Sequence, residues 1–179
     1  MKNIPKSSNF WHGFLTDSSK MLVDAGVNLC IERKQLFEPL MELIEEDCGQ
    51  KSQRAVRVAS YAIVRYPSAF GKYKHRILDA LVATADESCA FNLMRVFAES
   101  DLDPKDEDTN GILLDYCLNA LESGTKKEAI RVYGITILHK LTEFYPELIP
   151  ELKLLLAKHS EGAKMAFVSR ANQILKKLK

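Results

Sequence analysis

The sequence predicts an all-α chain built as a short solenoid: about four stacked helical hairpins closed at the N-terminal end by one extra helix. Three observations predict it. Arg57, Arg95, Arg131 and Arg170 recur 38, 36 and 39 residues apart, in the similar contexts Ala-Val-Arg-Val, Leu-Met-Arg-Val, Ala-Ile-Arg-Val and Val-Ser-Arg-Ala. A recurrence of roughly 35 to 40 residues marks stacked copies of one supersecondary unit. Apolar residues keep the helical period almost throughout, and the eight glycines and six prolines cluster at boundaries. Pro39 and Pro150 lie 111 residues apart, three times 37, each near the start of a first helix, where proline's missing N–H costs nothing.

The elements run in order along the chain. Residues 9–26 read as an amphipathic helix with Trp11, Phe14, Leu15, Met21, Leu22 and Ala25 on one side and Asn9 or Thr16 as its cap. Its expected role is a lid over the open end of the stack, with Trp11 in the core. Residues 36–46 carry Leu36, Leu40, Leu43 and Ile44 opposite a stripe of Glu38, Glu42 and Glu46, and Cys48-Gly49-Gln50 stops them. Residues 51–66 come next with Ala55, Val58, Ala59, Ala62 and Ile63, and Pro67 punctuates their end. The pattern repeats over 72–84 and 86–99, over 112–121 and 126–144, and over 147–158 and 161–178. The expected organisation is a tail and capping helix in 1–34, then one repeat domain in 35–179. Its units fall at about 35–71, 72–109, 110–146 and 147–179.

Composition narrows the function classes. Apolar residues at 46% and charged residues at 27% are ordinary for a globular protein, and the net charge of +1 argues against a wholesale polyanion binder. Cys30, Cys48, Cys89 and Cys117 lie far apart with no C-x-x-C pair, a spacing that suits buried thiols in a reducing compartment. The N-terminus has no apolar core segment of a secretory signal, and no run approaches 18 apolar residues. The expected location is cytoplasmic, with no membrane partner.

A helix, a short turn and then Val-Arg-Val-Ala-Ser-Tyr-Ala-Ile at residues 56–63 resembles HEAT repeats, of the ARM/HEAT superfamily. The resemblance covers residues 35–179 and implies a right-handed α-α superhelix whose second helices line a concave face. It further implies that each arginine of the column pairs with an acid of the preceding turn. Asp47, Glu87, Glu122 and Glu161 precede the four arginines by 8 to 10 residues. On this reading the column registers neighbouring units, since a guanidinium can donate to carboxylates and helix ends next to it.

Arg57 stands in different surroundings from the rest. Between Cys48 and Leu78 there is no acidic residue, while Lys51, Arg54, Arg57, Arg65, Lys72, Lys74 and Arg76 are interleaved with Tyr61, Tyr66, Phe70 and Tyr73. Arg54, Arg57, Tyr61 and Arg65 are spaced 3, 4 and 4, so they share a helix face. The candidate partner-binding surface is therefore Arg54, Arg57, Tyr61, Arg65, Lys72, Lys74 and Arg76. Basic side chains among aromatics suit phosphates and bases, and equally an acidic protein helix. The bland alternative is neutralisation by Glu38, Glu42, Glu45, Glu46 and Asp47 of the preceding helix and by Asp101, Asp103, Asp106, Glu107 and Asp108 of a later loop.

One motif suggests a metal. Asp106, Asp108, Asn110 and Gly111 reproduce the first half of a calcium loop, D-x-D-x-N-G, but Cys117 occupies the twelfth position where a bidentate glutamate is needed. An acidic turn capping the next helix through Thr109 or Asn110 is the favoured reading. His12, His75, His139 and His159 are isolated, and Ser123-Gly-Thr-Lys126 matches S-x-x-K only at a turn. No catalytic residue and no cofactor is expected. The function this predicts is a non-catalytic binding or scaffolding module with a protein partner on its concave side. The alternative is nucleic-acid binding through residues 51–76, in the manner of the DNA-alkylation-repair glycosylases that such a basic stack also resembles.

Overall fold

The computed structural model describes residues 9–46, 49–123 and 126–178. Among them the chain forms ten α-helices and no strand. They are α1 (Asn9–Phe14), α2 (Lys20–Glu32), α3 (Phe37–Glu45), α4 (Gln50–Arg65), α5 (Pro67–Ala83), α6 (Glu87–Glu99), α7 (Glu107–Glu122), α8 (Glu128–Leu141), α9 (Ile149–Ser160) and α10 (Met165–Lys177). The all-α expectation holds. The chain divides into two compact units, with the boundary inside α6 after Val96.

In the first unit, α1 packs on α3 and α3 on α5, while α2 packs on α4, so two layers run side by side. Helices α3 and α4 form the hairpin that joins the layers. Trp11, Leu36, Phe37, Leu40, Met41, Leu43, Val58 and Ile63 fill the space between and are closed to solvent. Trp11 sits in this core as expected, and its indole N–H donates to the Leu36 carbonyl at 3.0 Å. A buried indole needs such an acceptor, because its donor has no water to turn to.

The single helix expected over 9–26 is two helices instead. Thr16-Asp17-Ser18-Ser19 gives four consecutive residues that prefer helix starts and turns to helix interiors. Asp17 Oδ1 accepts from the Ser19 amide at 2.6 Å, and Ser19 then N-caps α2 by accepting from the Leu22 amide at 3.3 Å. The cap is thus Ser19, not Thr16. The break gives α2 a new phase relative to α1, so Met21 is 81% exposed and Ala25 also faces solvent.

Prolines act as expected at Pro39 and Pro150, the third residue of α3 and the second of α9, where the N–H has no intrahelical partner to lose. Each helix is entered from a 3-10 turn, Lys34–Leu36 and Pro146–Leu148. Pro67 does more than close α4. It opens α5 immediately, five residues before the expected start at 72, because Tyr66 leaves helical geometry, as a residue before proline does.

In the second unit, α7 pairs with α8 and α9 with α10, while α8 also packs on α10 and α7 on α9. Leu113, Cys117, Leu121, Ile130, Ile135, Ile137, Leu156 and Phe167 form its core. Lys140 Nζ donates to the Phe97 and Ser100 carbonyls, at 3.3 and 2.8 Å, and so caps the C-terminal end of α6.

Candidate binding surface

Helix α4 carries most of the basic stretch, and its cations are hydrogen-bonded to α2 and to the segment around the end of α1. Lys51 donates to the His12 carbonyl at 2.7 Å, Arg54 to the Leu15 and Thr16 carbonyls at 2.9 and 2.7 Å, and Arg57 to the Ser18 carbonyl at 2.9 Å. Farther along, Arg65 reaches Asn28 Oδ1 at 3.4 Å. A helix end leaves its last carbonyls without partners and carries partial negative charge, so cations belong there. These acceptors are neutral. They take hydrogen bonds from Lys51, Arg54, Arg57 and Arg65 without offsetting their charge, although the Asp17 carboxylate also acts on Arg54.

Helix α5 behaves differently. Arg76 makes a two-pronged contact with Glu45, Nε to Oε1 at 2.6 Å and Nη2 to Oε2 at 2.8 Å, and a further bond to Glu38. Lys72 approaches Glu38 at 3.4 Å and donates to the Tyr73 hydroxyl at 2.9 Å. Burial alone would raise the Glu38 carboxyl, but Arg76 and Lys72 outweigh it and hold the group below its ordinary range. The same two carboxylates hold the Arg76 guanidinium firmly charged. Neutralisation by the preceding acidic helix therefore describes Lys72 and Arg76. Lys74 is half-buried on the same helix.

Five of the seven residues of the candidate surface thus fall into two groups. Arg54, Arg57 and Arg65 face α2 and the segment before it, while Lys72 and Arg76 face the acids of α3. Tyr61 belongs to a third arrangement, with the Arg95 guanidinium 4.0 Å above its ring centroid. That contact links α4 to α6 between half-exposed side chains.

Three arginines of the column contact neighbouring elements. Arg57 uses a carbonyl and Arg95 an aromatic face. Arg131, only 8% exposed, lies 4.4 Å over the Phe167 ring and 3.6 Å from Glu128 Oε2. The acid is Glu128 rather than Glu122, because α8 begins at Glu128 and the i, i+3 spacing places both on one face. Asp47 lies outside the described residues.

The calcium-loop candidate resolves into a helix start. Helix α7 begins at Glu107, so Asp108, Asn110 and Gly111 lie in its first turns, where successive side chains leave the helix in different directions and do not converge on an ion. The cap is Asp106, not Thr109 or Asn110: its Oδ1 accepts from the Thr109 amide at 3.3 Å. Asn110 is buried, and its Nδ2 donates to the Asp103 carbonyl at 2.9 Å. Among the described residues, no group of three or more His, Cys, Asp or Glu side chains is arranged to hold a metal ion.

The remaining titratable groups are dispersed. His12 lies 3.0 Å from Glu46, His139 is on α8 and His159 at the end of α9. Burial lowers the pKa of both latter rings, helped by Lys177 at His139 and by Arg131 and Lys158 at His159, while Glu143 and Glu122 oppose it. Cys30, Cys89 and Cys117 are buried thiols, as their spacing suggested, and burial pushes Cys30 up to about 12. Cys48 lies outside the described residues.

Sequence reasoning did not anticipate a cleft of about 570 Å³ between α3–α4 and α5–α6. Ile44, Val56, Leu93, Ala80 and Ala83 form its apolar walls, and Glu45, Arg76, Asp79, Gln53 and Asp86 its polar rim. The available signal was the run Ala80, Ala83 and Ala85, small side chains that leave volume unfilled where helices diverge.

Paired helices joined by short turns and recurring in both units define an α-helical repeat protein. The model of the HEAT repeat domain matches residues 15–178, and the chain belongs to that family. Comparison with curated proteins finds no match, and comparison with solved structures finds none either. The match takes in α2, which was expected to lie outside the repeats. Among the described residues, no helix is long and apolar enough to cross a membrane.

Proposed function

We propose that the chain is a non-catalytic binding module that recognises a protein partner through the concave face lined by the second helices of its hairpins. HEAT repeats generally mediate protein–protein interaction. The observation that carries the reading is Arg95 held over Tyr61 at 4.0 Å on α4 and α6. Tyrosine and arginine are the side chains that concentrate binding energy at protein interfaces, and a pair already fixed in place loses little freedom on docking. In this reading the units at about 35–71, 72–109, 110–146 and 147–179 supply the face, and α2 prolongs it.

The test is affinity capture of partners from the chain's own cells, with the purified partner then titrated against wild type and Tyr61→Ala. A partner whose affinity falls about tenfold or more in Tyr61→Ala supports the reading, as befits loss of an interface anchor. Capture of a partner indifferent to Tyr61 and to its neighbours on α4 and α6 sinks the proposed face.

A second reading has one observation in its favour. Lys51, Arg54, Arg57 and Arg65 bond to neutral acceptors, so α4 carries a run of cations, offset in part at Arg54 by Asp17, that could meet a nucleic acid. Engaging phosphates would require Arg54 and Arg57 to release the carbonyls of residues 15–18, which favours the protein reading.

A further inference from the structure

We propose that the cleft between α3–α4 and α5–α6 is a docking socket for a basic side chain, an arginine or lysine presented by a segment of the partner protein. The proposal rests on the protein-binding reading above and adds the chemistry of what is bound. It concerns a different surface. The lining comes from the end of α3, the start of α4, the end of α5 and the start of α6, hence the edge where the hairpin turns lie.

Size is the first argument. At about 570 Å³ the cleft falls within the range of roughly 300 to 1,000 Å³ typical of ligand sites. Its walls are apolar: Ile44, Val56 and Leu93 are buried, and Ala80 and Ala83 present methyl groups. Such walls favour the aliphatic stem of a long side chain over a wholly polar ion.

Charge is the second argument. Three carboxylates line the cleft, Glu45, Asp79 and Asp86, against the single guanidinium of Arg76. Arg76 is already held by both oxygens of Glu45 and by Glu38, so it has little left for an incoming anion. Asp86 is bound on both oxygens, Oδ1 by the Cys89 amide at 2.7 Å and Oδ2 by Gln53 Nε2 at 3.1 Å. Those donors are uncharged, so its negative charge persists. Asp79 is exposed on α5 and has no partner among the described residues. The cleft therefore carries an excess of negative charge in a chain whose total is +1, with one carboxylate at its rim ready to receive a cation. An anionic ligand would meet repulsion, and a neutral apolar one would leave Asp79 unused. A cation on an apolar stem uses both features, stem on the alanines and head at Asp79.

The experiment titrates the isotope-labelled full chain with the capped peptide acetyl-Ala-Leu-Arg-Leu-Ala-amide, read by amide chemical shifts. The control replaces arginine by citrulline, which keeps shape and loses charge. At peptide concentrations up to about 5 mM, suited to a weak single-anchor contact, the arginine peptide is expected to shift amides of residues 79–93 toward saturation. The citrulline peptide should not. Asp79→Asn should weaken the arginine peptide about threefold, the scale of one exposed ion pair. Ala83→Leu, which fills the cleft from a solvent-facing position, should suppress the shifts. Equal response to both peptides, indifference to Asp79→Asn, or no response at these amides overturns the proposal. The captured partner separates this outcome from failure of the broader reading. A chain that ignores the peptide but keeps its partner loses only the socket, whereas a chain that binds the peptide yet retains no partner keeps the socket's chemistry and loses the protein-binding function.

Discussion

Arg131 shows what the arginine spacing encodes. Its guanidinium lies on the face of Phe167 and beside Glu128, almost wholly out of water. Replacing it by methionine keeps much of the stem's packing but leaves the Glu128 charge in a largely buried site. We expect Arg131→Met to lower stability by about 2–3 kcal/mol, somewhat under the loss for a fully buried pair. Urea unfolding of Arg131→Met and of Arg131→Met/Glu128→Gln checks it, with the double variant recovering part of the loss. The histidines give a second expectation at this scale. Burial holds His139 and His159 below the ordinary value of 6.5, so the folded chain refuses protons that the unfolded chain accepts. Stability therefore rises with pH across this window and falls as pH drops through 6.5 toward the depressed folded values. The urea midpoint should be lower at about pH 5.5 than at about pH 7.5, and His139→Gln should flatten that slope. The sequence located Arg131 by its interval, yet it could not name Glu128. That depended on where α8 starts, which the expected start at 126 missed by two residues.

Glycine separates helices that need a close approach from helices that merely contain one. At Gly26 in α2 an added Cβ would meet the Val58 methyls at 3.1 and 3.2 Å and the Phe14 ring at 3.3 Å. Val58 is closed to solvent and branched, so it has no room to yield. Gly71 in α5 and Gly111 in α7 have nothing within 4 Å. Gly71→Ala and Gly111→Ala should each stabilise by about 0.5–1 kcal/mol, the usual gain for alanine in a helix. Gly26→Ala should instead destabilise by about 1 kcal/mol or more, because overpacking exceeds the propensity gain. Thermal melting of the three variants decides, and the Gly111 result also bears on the calcium motif. A calcium loop turns sharply at its sixth position, where glycine is needed, so stabilisation by alanine is incompatible with one. Element type was legible because the 3.6-residue period runs nearly unbroken through the chain. Element ends were less so. Thr16–Ser19 looked like part of one helix because the apolar spacing survives across the break, and only the capping bonds of Asp17 and Ser19 show that the helix restarts.

The candidate surface was legible as composition and not as geometry, since an acid-free stretch of seven cations names no face. The fold separates them: on α5 Lys72 and Arg76 meet Glu38 and Glu45, while on α4 Lys51, Arg54 and Arg57 serve the carbonyls of residues 12–18 and Arg65 reaches Asn28. The net charge of +1 offers no further attraction to a polyanion. Were α4 to bind a duplex through Lys51, Arg54, Arg57 and Arg65, four phosphate contacts would give a slope of log affinity against log salt of about −3 to −4. Affinity would also exceed the non-specific range of roughly 10⁻⁴ to 10⁻⁶ M at physiological salt. The protein-binding reading predicts neither. A fluorescent duplex and a single strand should show no binding tighter than about 10⁻⁵ M at physiological salt, and Arg54→Gln/Arg57→Gln should leave that weak level unchanged. The double variant should instead lose stability, because the carbonyls of residues 15, 16 and 18 lose their donors. Tight binding with the steep slope, abolished by the same two substitutions, would overturn the protein-binding reading and install α4 as a nucleic-acid contact.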